Sequence, residues 1–119
     1  MGCGTSTAAS PIDIAVDEFL ASSTVVLFSH KDKLSDTLSD LFTSNNINFK
    51  QYKLDARADG QAVIHILKNR LDHPDEMPFL FVDMLCVGGK KRIEELLEKG
   101  GEELLTRCRV YSNKDHDNM

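Results

Sequence analysis

Apolar residues in this chain switch between helical spacing and short unbroken runs, and the switches predict the elements. Ile12, Val16, Phe19 and Leu20 recur at helical spacing behind Ser10-Pro11-Ile12-Asp13. There Ser10 can cap, Pro11 suits the first helical position, and Asp13 stands three residues after the cap. Thr24 to Phe28 is a β-branched and aromatic run, hence a buried strand. Leu34, Leu38, Leu41 and Phe42 form the next helical face, with Asn45-Asn46 ending the helix that starts near Ser35. Phe49, Tyr52 and Leu54, interleaved with Lys50, Gln51 and Lys53, mark a second strand.

Asp59-Gly60 opens a third helix with Val63, Ile66, Leu67 and Leu71 inward, and His73-Pro74-Asp75-Glu76 is a turn. Phe79 to Val82 is a third strand, Asp83-Met84 a hairpin turn, and Leu85-Cys86-Val87 a short fourth strand. Gly88-Gly89 precedes a helix carrying Ile93, Leu96 and Leu97. Gly100-Gly101 stops it, and Glu102 to Arg107 adds a last turn or two. Residues 1–10 read as a flexible leader, 11–108 as one domain, and 109–119 as a disordered tail. The order α-β-α-β-α-β-β-α-α implies a parallel β-α-β unit followed by an antiparallel hairpin. The expected fold is α/β, a four-stranded mixed sheet flanked by helices.

Composition narrows the function classes. A length of 119 residues with 41% hydrophobic and 28% charged residues is that of one ordinary globular domain. A net charge of −5 argues against nucleic acid as a partner, because that affinity is largely phosphate neutralisation. No apolar run approaches the roughly 20 residues needed to span a bilayer. Cys3, Cys86 and Cys108 form no Cys-x-x-Cys, and His30, His65, His73 and His116 make no zinc-ligand spacing with them. No metal site is expected.

The element order resembles that of glutaredoxins, and three local signatures strengthen the match. Val26-Leu27-Phe28-Ser29 is similar to the family's first strand, which leads into the redox loop. Met77-Pro78 before Phe79-Leu80-Phe81-Val82 is similar to its Thr-Val-Pro segment, whose proline is cis. Val87-Gly88-Gly89 is similar to its Ile-Gly-Gly turn. The resemblance covers roughly residues 12–107 and implies a thioredoxin fold of the glutaredoxin type.

The departure lies where that family does its chemistry. Aligning the helices on Leu38, Leu41 and Phe42 puts the family's Cys-x-x-Cys on Asp32, Lys33, Leu34 and Ser35; the ungapped register puts the cysteines on Lys33 and Asp36. Neither supplies the helix-N-terminal thiolate that thiol–disulfide exchange needs. Asp32 or Ser35 serves there as a helix cap, so no catalytic residue is assigned. The resemblance also implies a glutathione groove beside Met77, Pro78, Gly88 and Gly89. Relatives hold glutathione's carboxylates with basic residues before the redox cysteine and before Thr-Val-Pro, and its ammonium with an acid after Gly-Gly. Here those neighbourhoods read His30-Lys31, Asp75-Glu76 and Lys90-Lys91-Arg92, and the last two are inverted in sign. Each lost charged hydrogen bond costs on the order of 1–3 kcal/mol, so no glutathione cofactor is expected.

The first residues carry a second signal. Met1-Gly2-Cys3-Gly4-Thr5-Ser6 fits the N-myristoylation pattern at Gly2, with Cys3 placed for palmitate, and stable anchoring takes two chains. Lys90-Lys91-Arg92 reads either as a solvated face balanced by Glu94, Glu95 and Glu98 or as a contact for anions or acidic lipid. Cys86, in an apolar strand, reads as a buried inert thiol. Cys108 reads as an exposed thiol whose pKa Arg107 and Arg109 lower. His65 reads as a surface or boundary residue. Together these features point to a non-catalytic glutaredoxin-like module at the cytoplasmic face of a membrane, binding a protein or peptide in the groove. The alternative is a glutathione-linked oxidoreductase or transferase using Cys108 or a residual glutathione site.

Overall fold

All five residues of β1 (Val25–Ser29) and all four of β3 (Phe79–Val82) are buried, which marks them as the centre of a sheet covered on both faces. The structure, a computed structural model, describes residues 11–71 and 75–117. The sheet order is β2 (Lys50–Lys53), β1, β3, β4 (Leu85–Gly88). β1 runs parallel to β2, with Phe28 opposite Tyr52, and antiparallel to β3, with Leu27 opposite Leu80. β4 lies antiparallel to β3, Cys86 opposite Phe81, with an irregularity between Leu80 and Phe81. The tight turn between them is where the pattern predicts it: Asp83 and Met84 take φ of 53° and 66°, both left-handed, as a two-residue type I′ hairpin turn requires.

Helices α1 (Pro11–Ala21), α2 (Lys33–Ser44), α3 (Gly60–Asn69), α4 (Lys90–Glu98) and α5 (Glu102–Asp117) complete the described residues. Strand residues alternate between two cores. On one face Val25, Leu27, Leu80 and Val82 meet Leu38 and Phe42 of α2, Ile93 and Leu96 of α4, and Leu104, Leu105 and Cys108 of α5. On the other, Val26, Phe28, Phe79 and Phe81 meet Val16 and Leu20 of α1 and Val63 and Leu67 of α3. At the end of α3, Arg70 reaches over to α1 and bonds Asp17 at 2.8 Å and Asp13 at 3.4 Å. This is the mixed sheet and helix order that the hydropathy pattern predicts.

Two boundaries differ from the sequence reading. β2 stops at Lys53, and Leu54 opens a short 3-10 turn in which its buried side chain joins the α1/α3 core. The last helix is longer than one or two turns. It runs from Glu102 to Asp117, over residues for which a disordered tail is expected. Leu104, Leu105 and Cys108 anchor one face of it, and no glycine or proline interrupts the sequence from Glu102 onward. Gly2 and Cys3 lie outside the described residues, as do His73 and Pro74 of the predicted turn.

Candidate functional site

Because β3 is antiparallel to its neighbours β1 and β4, one end of the sheet gathers the end of β1, the start of β3 and the end of β4. That end therefore brings together Asp32, Lys33, Leu34 and Ser35, the Met77-Pro78 pair, and Gly88-Gly89. The Met77-Pro78 bond is cis.

The turn into α2 is organised by Asp32. One carboxylate oxygen accepts a hydrogen bond from Ser35 N at 2.6 Å, and the other from His30 N at 2.9 Å, while Lys31 sits at φ 51°. Asp32 is thus the N-cap, satisfying a donor that an α-helix start leaves unpaired. Lys33 is exposed, Leu34 packs partly against the core, and Ser35 is buried with its hydroxyl lacking a hydrogen-bond partner. Beside this turn lies an open polar depression of about 260 Å³ between α2 and the end of β2, bordered by Lys31, Lys33, Lys53, Asp36 and Asp55. Gln51 donates to the Ser29 hydroxyl on its wall at 3.1 Å.

On the Met77-Pro78 side, Asp75 ties the chain to the head of α4. Its carboxylate accepts from Glu76 N at 2.8 Å, Lys91 N at 3.0 Å and Gly89 N at 3.1 Å. Lys90 N bonds the Glu76 carbonyl at 2.8 Å. The first amides of α4 are therefore held by the segment that leads into Met77-Pro78. Burial works against the charge of Asp75, but the backbone N–H groups of Lys91, Glu76, Arg92 and Gly89 together outweigh it and hold its carboxyl below the usual range. Gly89 has to be glycine here: a Cβ would meet the Glu76 carbonyl at 2.6 Å and Asp75 at 2.7 Å. Nothing local in the sequence marks this contact, since Asp75 and Gly89 stand 14 positions apart.

The two described cysteines exchange the surroundings predicted for them. Cys86 is exposed, because β4 is an edge strand and only Val87 of its side chains is fully covered. Cys108 is wholly buried among Leu104, Leu105 and the α2/α4 core. Burial pushes its thiol up to about 11 despite the lowering effect of Arg107 and Arg109. His65 is exposed as predicted, 3.3 Å from the Asn69 amide. Lys90, Lys91 and Arg92 are exposed at the head of α4, and Arg92 pairs at 3.9 Å with Glu103 of α5. Among the described residues no three His, Cys, Asp or Glu side chains converge to hold a metal ion, and no helix is long and apolar enough to cross a membrane.

A sheet ordered β2-β1-β3-β4 with helices on both faces and a cis-proline opening β3 is a thioredoxin-type architecture. Its form is that of the glutaredoxins. The chain superposes on wheat glutaredoxin with a TM-score of 0.72 at 24% identity, covering 85% of this chain and 93% of that one. It superposes on the holo form of glutaredoxin C1 from Populus tremula x tremuloides with a TM-score of 0.72 at 21% identity, covering 86% and 99%. A buckwheat glutaredoxin–glutathione complex gives 0.69 at 19% identity, covering 85% and 93%. By sequence the chain matches no protein-family model and no curated protein.

Proposed function

We propose that this chain is a non-catalytic, glutaredoxin-like binding module. On this reading it is held at the cytoplasmic face of a membrane by myristate on Gly2 and palmitate on Cys3. A protein or peptide partner sits in the groove formed by Met77-Pro78 and Gly88-Gly89. The observation that carries the reading is Asp32. Its carboxylate, bonded to Ser35 N and His30 N, occupies the helix start where the resemblance puts a thiolate. Mixed-disulfide formation needs a sulfur nucleophile, and a carboxylate on that turn supplies none. Cys108, the thiol on which the enzymatic alternative rests, is buried and held as the neutral thiol.

The same logic applies to glutathione. The resemblance implies a basic residue before the cis-proline segment to hold a ligand carboxylate, and Asp75 stands in that neighbourhood, bonded to the amides of Gly89 and Lys91. A ligand carboxylate there would have to displace a like charge and leave Asp75 unpaired. The position and bonding of Asp75 support a groove that takes no glutathione. Met77 and the backbone before Pro78 remain suited to pairing with an extended peptide.

Titration with reduced glutathione, followed by backbone amide shifts, tests the groove. No shift at millimolar ligand is expected, together with no glutathione-dependent disulfide reduction. Saturable shifts at Met77, Gly88 and Gly89, or reductase activity lost in Cys86→Ser or Cys108→Ser, would establish the enzymatic alternative instead. For the anchor, the intact mass of protein from eukaryotic cells is expected to show acylation; an unmodified Gly2 overturns the membrane part.

A further inference from the structure

Among the described residues, the Ser35 hydroxyl is the one buried side-chain polar group without a hydrogen-bond partner. Ser35 is 1% exposed and stands in the first turn of the 12-residue helix α2. It also borders the polar depression between α2 and the end of β2. A hydroxyl buried unpaired destabilises a fold, and a ligand oxygen that accepts from it removes that penalty.

The charges around the depression say what that ligand is. Lys31, Lys33 and Lys53 border it on a chain of net charge −5, and the positive end of α2 adjoins it. Among the described residues none of these lysines forms an ion pair, and neither do Asp36 and Asp55 on the same rim. Asp32, the third carboxylate there, is committed to Ser35 N and His30 N. Lysines and a hydroxyl suit an anion, whereas two uncommitted carboxylates repel one unless it carries a proton. Phosphate meets both conditions: its P–O⁻ oxygens accept from lysine and serine, and its P–OH donates to a carboxylate. Sulfate and chloride have no proton to donate. A volume of about 260 Å³ is below the roughly 300–1,000 Å³ of pockets that take drug-sized ligands, so the occupant is small.

We infer that this depression is a seat for inorganic phosphate or a small phosphomonoester, held by the Ser35 hydroxyl and by Lys31, Lys33 and Lys53. Asp36 and Asp55 select the protonated anion by repelling any other. The seat lies on the β2 side of the Asp32 turn, apart from Met77-Pro78 and Gly88-Gly89, and depends on neither acylation nor glutathione.

The test uses the full chain at about pH 6, where a phosphomonoester keeps part of its second proton. Backbone amide shifts are followed with sodium phosphate, ethyl phosphate, sulfate and chloride at matched ionic strength. Saturable shifts at Lys33 to Asp36 and at Gln51 are expected for phosphate or ethyl phosphate, with affinity at least tenfold above that for sulfate. The tighter of the two names the source, free phosphate or a monoester. Ser35→Ala, which should melt no lower than wild type, is expected to weaken binding at least tenfold. Asp36→Asn with Asp55→Asn is expected to abolish the preference over sulfate. The inference fails if no phosphate saturates these shifts at millimolar concentration, or if sulfate or chloride shifts them equally. It also fails if Ser35→Ala binds as wild type does, or if glutathione shifts the same amides more strongly than either phosphate.

Discussion

The carboxylate of Asp75 accepts a hydrogen bond from Lys91 N at 3.0 Å, joining the segment before the cis-proline to the first turn of α4. Three backbone donors depend on that one side chain, and its negative charge lies at the positive end of a helix.

Removing it is expected to destabilise the domain as loss of an N-cap does, by about 0.5–2 kcal/mol for Asp75→Ala. Gly89→Ala pushes a methyl group against the same carboxylate and the Glu76 carbonyl, so its effect should overlap with the first. Urea unfolding of both single variants and the double is expected to show a double-variant loss smaller than the sum.

Asp75 also sets an acid dependence. Its folded pKa is lowered, so its contribution is complete above the ordinary carboxylate value of about 3.9 and is lost as pH falls through the lower folded value. Wild-type stability is expected to decline in that window more steeply than that of Asp75→Ala. Denaturation curves between neutral pH and roughly pH 3 measure the difference.

At the head of α2 two neighbouring polar residues should behave in opposite ways. Asp32→Ala removes a cap and is expected to cost about 0.5–2 kcal/mol. Ser35→Ala removes a buried hydroxyl that has no partner, so it is expected to be neutral or stabilising by up to about 1 kcal/mol. Thermal melts of the two variants check the sign of each.

Thiol reactivity should follow burial. In a Cys3→Ser background at neutral pH, iodoacetamide is expected to label Cys86 and to spare Cys108 until the domain unfolds, as intact mass reports. The raised pKa of Cys108 carries a stability contribution that is full below its unfolded value of 9.0 and lost as pH climbs through about 11.

The hairpin offers a gain. Met84 holds φ 66° with a side chain that this region disfavours, so Met84→Gly is expected to stabilise the turn by a few tenths to about 1 kcal/mol. Chemical denaturation is the measurement, and a loss of stability would mean that the half-exposed methionine contributes more by packing than it costs in backbone conformation.

What the sequence made legible was local. Val25 to Phe28 and Phe79 to Val82 are unbroken apolar runs of strand length, so the two central strands were plain from hydropathy. Asp32 before an amphipathic run is a cap signal in its own right, and Asp83-Met84 between apolar runs reads as a turn. Cys86 was misplaced because its apolar neighbours look the same in a central or an edge strand; only the sheet order separates them. Cys108 reads as exposed from its flanking arginines, whereas Leu104 and Leu105, on its own face of the helix at i−4 and i−3, carry it into the core. The Asp75 contact is invisible in the sequence because it joins a loop to the head of a helix that no local pattern relates to it.

The bonds of Arg70 to Asp13 and Asp17 have a mechanical meaning. The described fold begins at Pro11, and the first turns of α1 are fastened to the end of α3. A pull from that terminus is thus borne by α1, by this guanidinium and by the core of Val16 and Leu20. None of these takes part in the hydrogen bonds of Asp32 or Asp75, so a load at Pro11 falls first on the packing of two helices and not on either of those turns.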